Sequence, residues 1–295
     1  MGHLSEFIFG FMPGAFAGAM YVIIAQPLDE INFKMEHFSQ DYKNRYDCFK
    51  KTIKREGIFR GLYSGAILNL YIHMIENATL FAMLPYCAKG VRILSMKQSY
   101  QEFSLLEKSL SGSLAAFFTS FLHCPATVLS NTMQEIRYYE HAHHQKHYKA
   151  IKRPIGRHVL ILSIIREKGF YNLYNRLCPI MLREMYGVFF YFGGFYGCRD
   201  LIDIVFQPEE IGFIQVMLSG GMGGAAYHCS VHPIGIVHAR MKTNFDFWPI
   251  VFEILKTTGI RGFYTGLGPV LFRAVPTSAV LFGAVSTLDD YLFYS

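Results

Sequence analysis

Charge is what this sequence has least of. Asp, Glu, Lys and Arg make up 17% of its 295 residues, against about a quarter in an average soluble domain. Apolar side chains fill the gap at 52%, with 27 Phe and 19 Tyr. A mean hydropathy of +0.22 puts more apolar surface on the chain than one interior of this size can bury, which excludes disorder and makes a bilayer the expected solvent. The six cysteines, Cys48, Cys87, Cys124, Cys178, Cys198 and Cys229, show no CxxC and no paired spacing. Neither a disulfide framework nor a zinc site is expected from them. A basic leader is also lacking, since MGHLSEF passes straight into an apolar run; any address is expected inside the chain. Within the apolar stretches there is no nucleophile with its base, no P-loop and no metal-binding pair at helical spacing. An enzyme, catalytic residues, a bound metal and a cofactor are therefore not expected.

What is present is a set of six stretches long enough to cross about 30 Å of hydrocarbon as helices, for which about 20 residues suffice. Residues 7–28, 109–134 and 211–236 contain no Asp, Glu, Lys or Arg. The alternate stretches, residues 62–88, 177–198 and 267–288, carry Glu76, Arg183 with Glu184, and Arg273. An ionised group at membrane depth is costly unless it faces a wet cavity or a partner, so these four residues predict either a polar interior shared by the even helices or ion pairs that tie a bundle together. The odd stretches carry small residues four apart: Gly10, Gly14 and Gly18, then Gly112 and Ala116, then Gly220 and Gly224. That spacing predicts close helix contacts. Each odd stretch also has a late proline, Pro27, Pro125 or Pro233, which removes a helical hydrogen bond and predicts a kink.

Those prolines stand 98 and 108 positions apart, close to one third of the chain. The second half of each third repeats as well: residues 57–65 read GIFRGLYSG, 169–176 GFYNLYNR and 259–266 GIRGFYTG. A period near 100 residues is too long for a solenoid and fits three two-helix units in one domain, roughly residues 1–98, 99–206 and 207–295. Amphipathic surface helices are expected at about 42–59, 150–168 and 247–258. Lys43, Arg45, Lys50, Lys51, Lys54, Arg55 and Arg60 crowd the first, and Lys149, Lys152, Arg153 and Arg157 recur around the second. Those faces suit anionic lipid headgroups or simply solvent; nucleic acid is not expected as a partner. His141, His143, His144 and His147 form a tract that is read as a loop, solvated, partner-contacting or open to adventitious metal. Trp248 and the aromatics near span ends fit interfacial anchoring.

With these elements in place the chain resembles the mitochondrial carrier family over nearly its whole length. The resemblance rests on Pro27-Leu-Asp29-Glu-Ile-Asn32-Phe-Lys34, on Arg55-Glu56-Gly57 with Gly61-Leu-Tyr63, and on weaker copies in the other two repeats. The even helices resemble the ornithine, basic amino acid and acylcarnitine group at Ile75-Glu76-Asn77, Leu182-Arg183-Glu184 and Phe272-Arg273-Ala-Val-Pro276. The resemblance implies an all-α fold of six spans with pseudo-three-fold symmetry and short matrix-side helices. It implies residence in the mitochondrial inner membrane, both termini in the intermembrane space, and substrate held at mid-membrane. It also implies bound cardiolipin, with Gly57, Gly65, Gly169, Gly259 and Gly266 as candidate contacts.

Ile72, Arg183 and Arg273 each lie seven residues beyond Gly65, Arg176 and Gly266, so they are three-fold equivalents. A zwitterionic amino acid needs a cation for its carboxylate and an anion for its ammonium, with a second anion for a basic side chain. Arg273 is expected to take the carboxylate and Glu184 the ammonium. Glu76 is expected to meet a basic side chain, Arg183 to set the charge balance, and Asn77 and His73 to add polar contacts.

The gates expected at the two ends depart from the family pattern. On the matrix side the acidic positions read Asp29, Thr127 and Gly235 and the basic ones Asn32, Ser130 and His238, followed by Glu36, Gln134 and Lys242. On the opposite side the positions read Tyr86, Tyr196 and Ser286 against Lys89, Arg199 and Asp289. No full acid–base pair is expected within either ring. The chain is therefore expected to move a small zwitterion, a basic amino acid or a carnitine-like one, through gates of hydrogen bonds and aromatic packing. The alternative is a transport-inactive block in a larger inner-membrane assembly such as a respiratory complex.

Overall fold

The structure, a computed structural model, describes residues 3–37, 42–63, 66–97, 102–144, 174, 177–206, 212–240 and 247–294. Among them are eight α-helices and no strand. They are α1 (His3–His37), α2 (Arg45–Glu56), α3 (Ala66–Ser95), α4 (Leu105–His144), α5 (Leu177–Phe206), α6 (Phe213–Arg240), α7 (Phe247–Thr257) and α8 (Leu267–Tyr294). The six long ones run from 28 to 40 residues, and at about 1.5 Å per residue even the shortest outreaches the hydrocarbon layer. Two of them, over Phe11–Met35 and Leu267–Thr287, are apolar enough to read as spans on hydropathy alone.

The six long helices close into a ring. α1 packs on α3, α3 on α4, α4 on α5, α5 on α6, α6 on α8, and α8 returns to α1. Glycines set the approach at the contacts within each pair. A Cβ on Gly14 would lie 2.6 Å from the Asn77 carbonyl oxygen of α3, and one on Gly18 would strike the His73 carbonyl. On Gly220 it would lie 2.8 Å from the Ser278 carbonyl oxygen of α8. In lipid no hydrophobic force draws helices together, so the contact depends on backbones meeting without side chains between them.

Aromatic rings fill one part of the ring's interior. Phe81, Phe192 and Phe282 each stand nine residues beyond Ile72, Arg183 and Arg273, and they meet although α3, α5 and α8 are not ring neighbours. Phe81 lies 6.1 Å from Phe282 and Phe192 6.3 Å from it, both edge to face. Phe195 stacks on Phe282 at 4.0 Å. Phe192 is 1% exposed and lies where a Cβ on Gly112 would be. The plug thus sits about two turns further along the even helices than the charged positions.

Pro27, Pro125 and Pro233 lie inside continuous helices, and so do Pro13, Pro85 and Pro276. A proline leaves the carbonyl four residues earlier without its helical donor. For Pro27 that carbonyl belongs to Ile23, and the Tyr63 hydroxyl donates to it at 3.0 Å. The aromatic residue of the repeated Gly61-Leu-Tyr63 element thereby closes the gap that the proline opens.

α2 lies against α1, and α7 against α6. Asn44 caps α2 by accepting from the Asp47 N–H at 2.8 Å, and Gly57 ends it at φ 82°. The hydrogen bond from Lys51 holds the exposed Asp47 carboxyl below its usual range. Lys34, 5% exposed near the end of α1, gives both oxygens of Glu56 a donor at 2.8 Å and reaches Thr52 at 3.3 Å. This pair locks the surface helix to the span and joins two parts of the repeated pattern, Lys34 and the Glu56-Gly57 dipeptide. Gly259 and Gly266 also adopt positive φ, 66° and 82°. The expected surface helix at 150–168, with Gly65 and Gly169, lies outside the described residues.

One expectation is overturned here. The His141–His144 part of the histidine tract is no loop, because α4 continues through His144.

Two stability effects follow from this packing. Gly14→Ala is expected to cost about 1 to 3 kcal/mol because backbone must move to admit the methyl, whereas Gly268→Ala, with nothing within 4 Å, is expected to change little; thermal unfolding in detergent reads both. Glu56→Ala is expected to lower the unfolding temperature by stranding a buried ammonium. The exchanged pair Lys34→Glu with Glu56→Lys is expected to recover part of that loss.

Candidate functional site

The charged residues of the even helices lie in one linked polar girdle to which every long helix contributes. α3 provides His73 and Glu76 one turn apart, with His73 Nδ1 3.3 Å from Glu76 Oε2. α4 adds His123, whose Nδ1 lies 2.5 Å from Glu76 Oε1 and whose Nε2 lies 3.7 Å from Glu184 Oε1. α5 supplies Arg183 and Glu184, joined at 2.7 Å from Nη2 to Oε1. From α6 the Tyr227 hydroxyl donates to Glu184 Oε2 at 2.9 Å. α8 brings Arg273 to Asp29 of α1, 2.9 Å from Oδ1, and within 3.4 Å of the Tyr21 hydroxyl. The Tyr21 ring lies 5.1 Å from His73, which links the Arg273–Asp29 pair to the Glu76 group.

Local structure explains why these groups meet. Residues four apart share a helix face, so His73 and Asn77 lie one above the other and Glu76 sits beside them. Glu184 is 7% exposed and is held from three sides, by Arg183 on its own helix, His123 and Tyr227. Burial in low dielectric makes each contact stronger and each vacancy dearer. Glu76 Oε2 is the exception. It is buried without a well-aligned hydrogen bond, with His73 Nδ1 3.3 Å away.

Among the linked residues three carboxylates, Asp29, Glu76 and Glu184, face two guanidiniums, Arg183 and Arg273. Leaving the histidines aside, these permanent charges sum to one net negative. Its open chemistry is that of a cation site bordered by an arginine that an anionic group can reach.

The structure brings together Glu76, Arg183, Glu184, Arg273 and His73, and it adds a partner for Arg273. Asp29 does not stand without a basic partner. Its partner is Arg273 of the last helix, which the spacing within one repeat could not show, so Arg273 is not a free carboxylate receptor in this conformation. Asn77 donates one side-chain N–H to the His73 carbonyl at 2.9 Å, and its backbone carbonyl lies at the α1–α3 contact.

At the matrix-side ring Thr127 is half-buried and Gly235 exposed. The side chains of Glu36, Ser130, Gln134 and His238, and residue Lys242, lie outside the described set. At the opposite ring Lys89 sits over the Tyr86 ring at 5.6 Å and Lys108 of α4 over Tyr196 of α5 at 5.1 Å. Cation–π contacts hold places where ion pairs were sought. The side chain of Asp289 lies outside the described set.

His123, Tyr21 and Tyr227 were not legible as site residues from the even-helix charges. A signal for the tyrosines exists: Tyr21 and Tyr227 both stand six residues before their repeat's proline, with Thr119 in that place in the second repeat. His123 stands two before Pro125 and has no such counterpart.

Comparison with known proteins agrees with this architecture. The sequence matches the mitochondrial carrier protein family over residues 5–92, 101–204 and 209–295, three segments that coincide with the three helix pairs. It is 30% identical over 275 residues to mitochondrial ornithine transporter 1 of Mus musculus, covering 91% of this chain and 89% of that protein. With mitochondrial ornithine transporter 1 of Saccharomyces cerevisiae it shares 28% over 297 residues, covering 98% and 97%. A mitochondrial carnitine/acylcarnitine carrier-like protein of Arabidopsis thaliana is 24% identical over 284 residues, covering 91% and 93%. The chain thus belongs to the mitochondrial carrier protein family and is a transporter of the mitochondrial inner membrane.

Proposed function

We propose that this carrier moves a basic amino acid of the ornithine, lysine or arginine class by alternating access. The observation that carries the reading is the count of permanent charges in a girdle built from all six helices, three carboxylates against two guanidiniums, which leaves one carboxylate for a cation that is either a substrate's or a histidine's. A substrate with two cationic groups and one carboxylate brings one net positive charge and matches the extra carboxylate; a carnitine-like zwitterion brings none. The names of the relatives from mouse and yeast agree with this class, and the plant relative keeps carnitine-like substrates as the second choice.

In this reading the substrate ammonium groups go to Glu184 and Glu76, and the carboxylate goes to Arg273. Taking Arg273 draws it away from Asp29. The bond that joins the first and last helices is then weakened only when substrate is present, and such differential binding is what a carrier needs to move between its two open states. Cardiolipin at the glycine-ended surface helices, Gly57 and Gly259 among them, remains part of the proposal, as do the termini in the intermembrane space. A transport-inactive block in a respiratory assembly would gain little from ionised groups kept at mid-membrane.

Uptake of labelled ornithine, lysine, arginine and carnitine into liposomes tests the reading. Arg273→Ala and Glu184→Gln are each expected to lower uptake of the preferred basic amino acid by about tenfold to hundredfold, the worth of a charge-assisted contact. Undiminished uptake by Arg273→Ala would remove Arg273 from the site.

A further inference from the structure

Among the girdle residues His123 is the one that the substrate reading leaves without a task. It projects from α4 and meets a carboxylate at each ring nitrogen, Glu76 of α3 at 2.5 Å and Glu184 of α5 at 3.7 Å. The charged and titratable groups around it are few. From α3 it faces Glu76 and, beyond it, His73; from α5 it faces Glu184 and Arg183, with the Tyr227 hydroxyl of α6 on the far oxygen of Glu184. A neutral imidazole has one N–H and one bare nitrogen, and a bare nitrogen turned to a carboxylate is repelled. Only the imidazolium satisfies both sides. Its charge is also the one missing from the girdle, since three carboxylates then face two guanidiniums and one imidazolium.

We infer that His123 is a tethered cation that occupies the Glu76–Glu184 pair when substrate is absent and that the ammonium groups of a cationic substrate must displace. The inference rests on the assignment of these carboxylates to the substrate and adds a determinant of its specificity. An ammonium arriving between Glu76 and Glu184 meets a site already neutralised. It binds well only when His123 gives up its proton or swings aside. The substrate-free carrier is thereby spared an uncompensated charge at mid-membrane. The sign of the pH dependence follows. At low pH the imidazolium competes and the apparent affinity for a cationic substrate is weak; as pH rises through the titration of the ring, the competitor disappears and affinity strengthens.

The test uses the full chain in liposomes with equal pH inside and out, and labelled lysine as the probe. For the unaltered protein KM is expected to fall by about tenfold between about pH 7.5 and about pH 9, where an imidazolium held between two carboxylates gives up its proton. His123→Gln, uncharged at every pH, is expected to give the low KM throughout; His123→Lys, charged at every pH, is expected to give the high one throughout. A flat KM in the unaltered protein overturns the inference without any variant. So does a His123→Gln carrier that keeps the original pH profile. Glu184→Gln and Arg273→Ala separate the two claims: if they abolish uptake while His123→Gln keeps the original profile, only the tethered cation is lost. If uptake is insensitive to both, the site assignment falls and the inference with it.

Discussion

An ionised side chain at membrane depth costs several kcal/mol unless another charge or a cluster of donors meets it there, and the interior of this carrier is organised by that requirement. Five such residues, Asp29, Glu76, Arg183, Glu184 and Arg273, are each met by a partner on another helix or by a neighbour along the same one. Where the partners come from different helices, as with Glu76 and His123 or Asp29 and Arg273, the charges also tie those helices together. Arg273 with Asp29 joins the last helix to the first and so closes the ring at the point where chain connectivity cannot.

The remainder of the fold keeps that girdle in register. Gly14, Gly18, Gly220 and Gly224 let the helices of a pair come close enough for backbone contact, and the Tyr63 hydroxyl satisfies the carbonyl left by Pro27. Further along the even helices the three-fold related Phe81, Phe192 and Phe282 fill the interior with apolar rings. The linked charged groups thus lie to one side of the aromatic rings, where a small charged solute is the natural complement. Ion pairs that are satisfied at rest and can be taken over by a ligand make the two conformations of a carrier responsive to that ligand.

The even-helix charges, the small residues and the prolines were legible in the sequence because each follows from a local rule: cost of burial, backbone approach or a missing donor. Glu76, Arg183, Glu184 and Arg273 could be placed at similar depth from repeat spacing alone. Pairing could not. Asp29 with Arg273 spans 244 positions, and no period within one repeat connects them. His123 lies in a stretch, residues 109–134, without Asp, Glu, Lys or Arg, and a histidine there reads as neutral until two carboxylates are seen around it. The extension of α4 through His144 escaped for a different reason, since a polar histidine tract has no apolar periodicity to mark it as helical.

The account turns on a girdle with one more carboxylate than guanidinium, and ligand-induced stabilisation of the purified carrier measures this most directly. Thermal unfolding in mild detergent, near pH 8, would be followed with ornithine, lysine, arginine, citrulline, carnitine and glutamate. The account predicts clear upward shifts with the three basic amino acids, a small one with carnitine or citrulline, and none with glutamate. An equal shift with glutamate, or none with any basic amino acid, would contradict it.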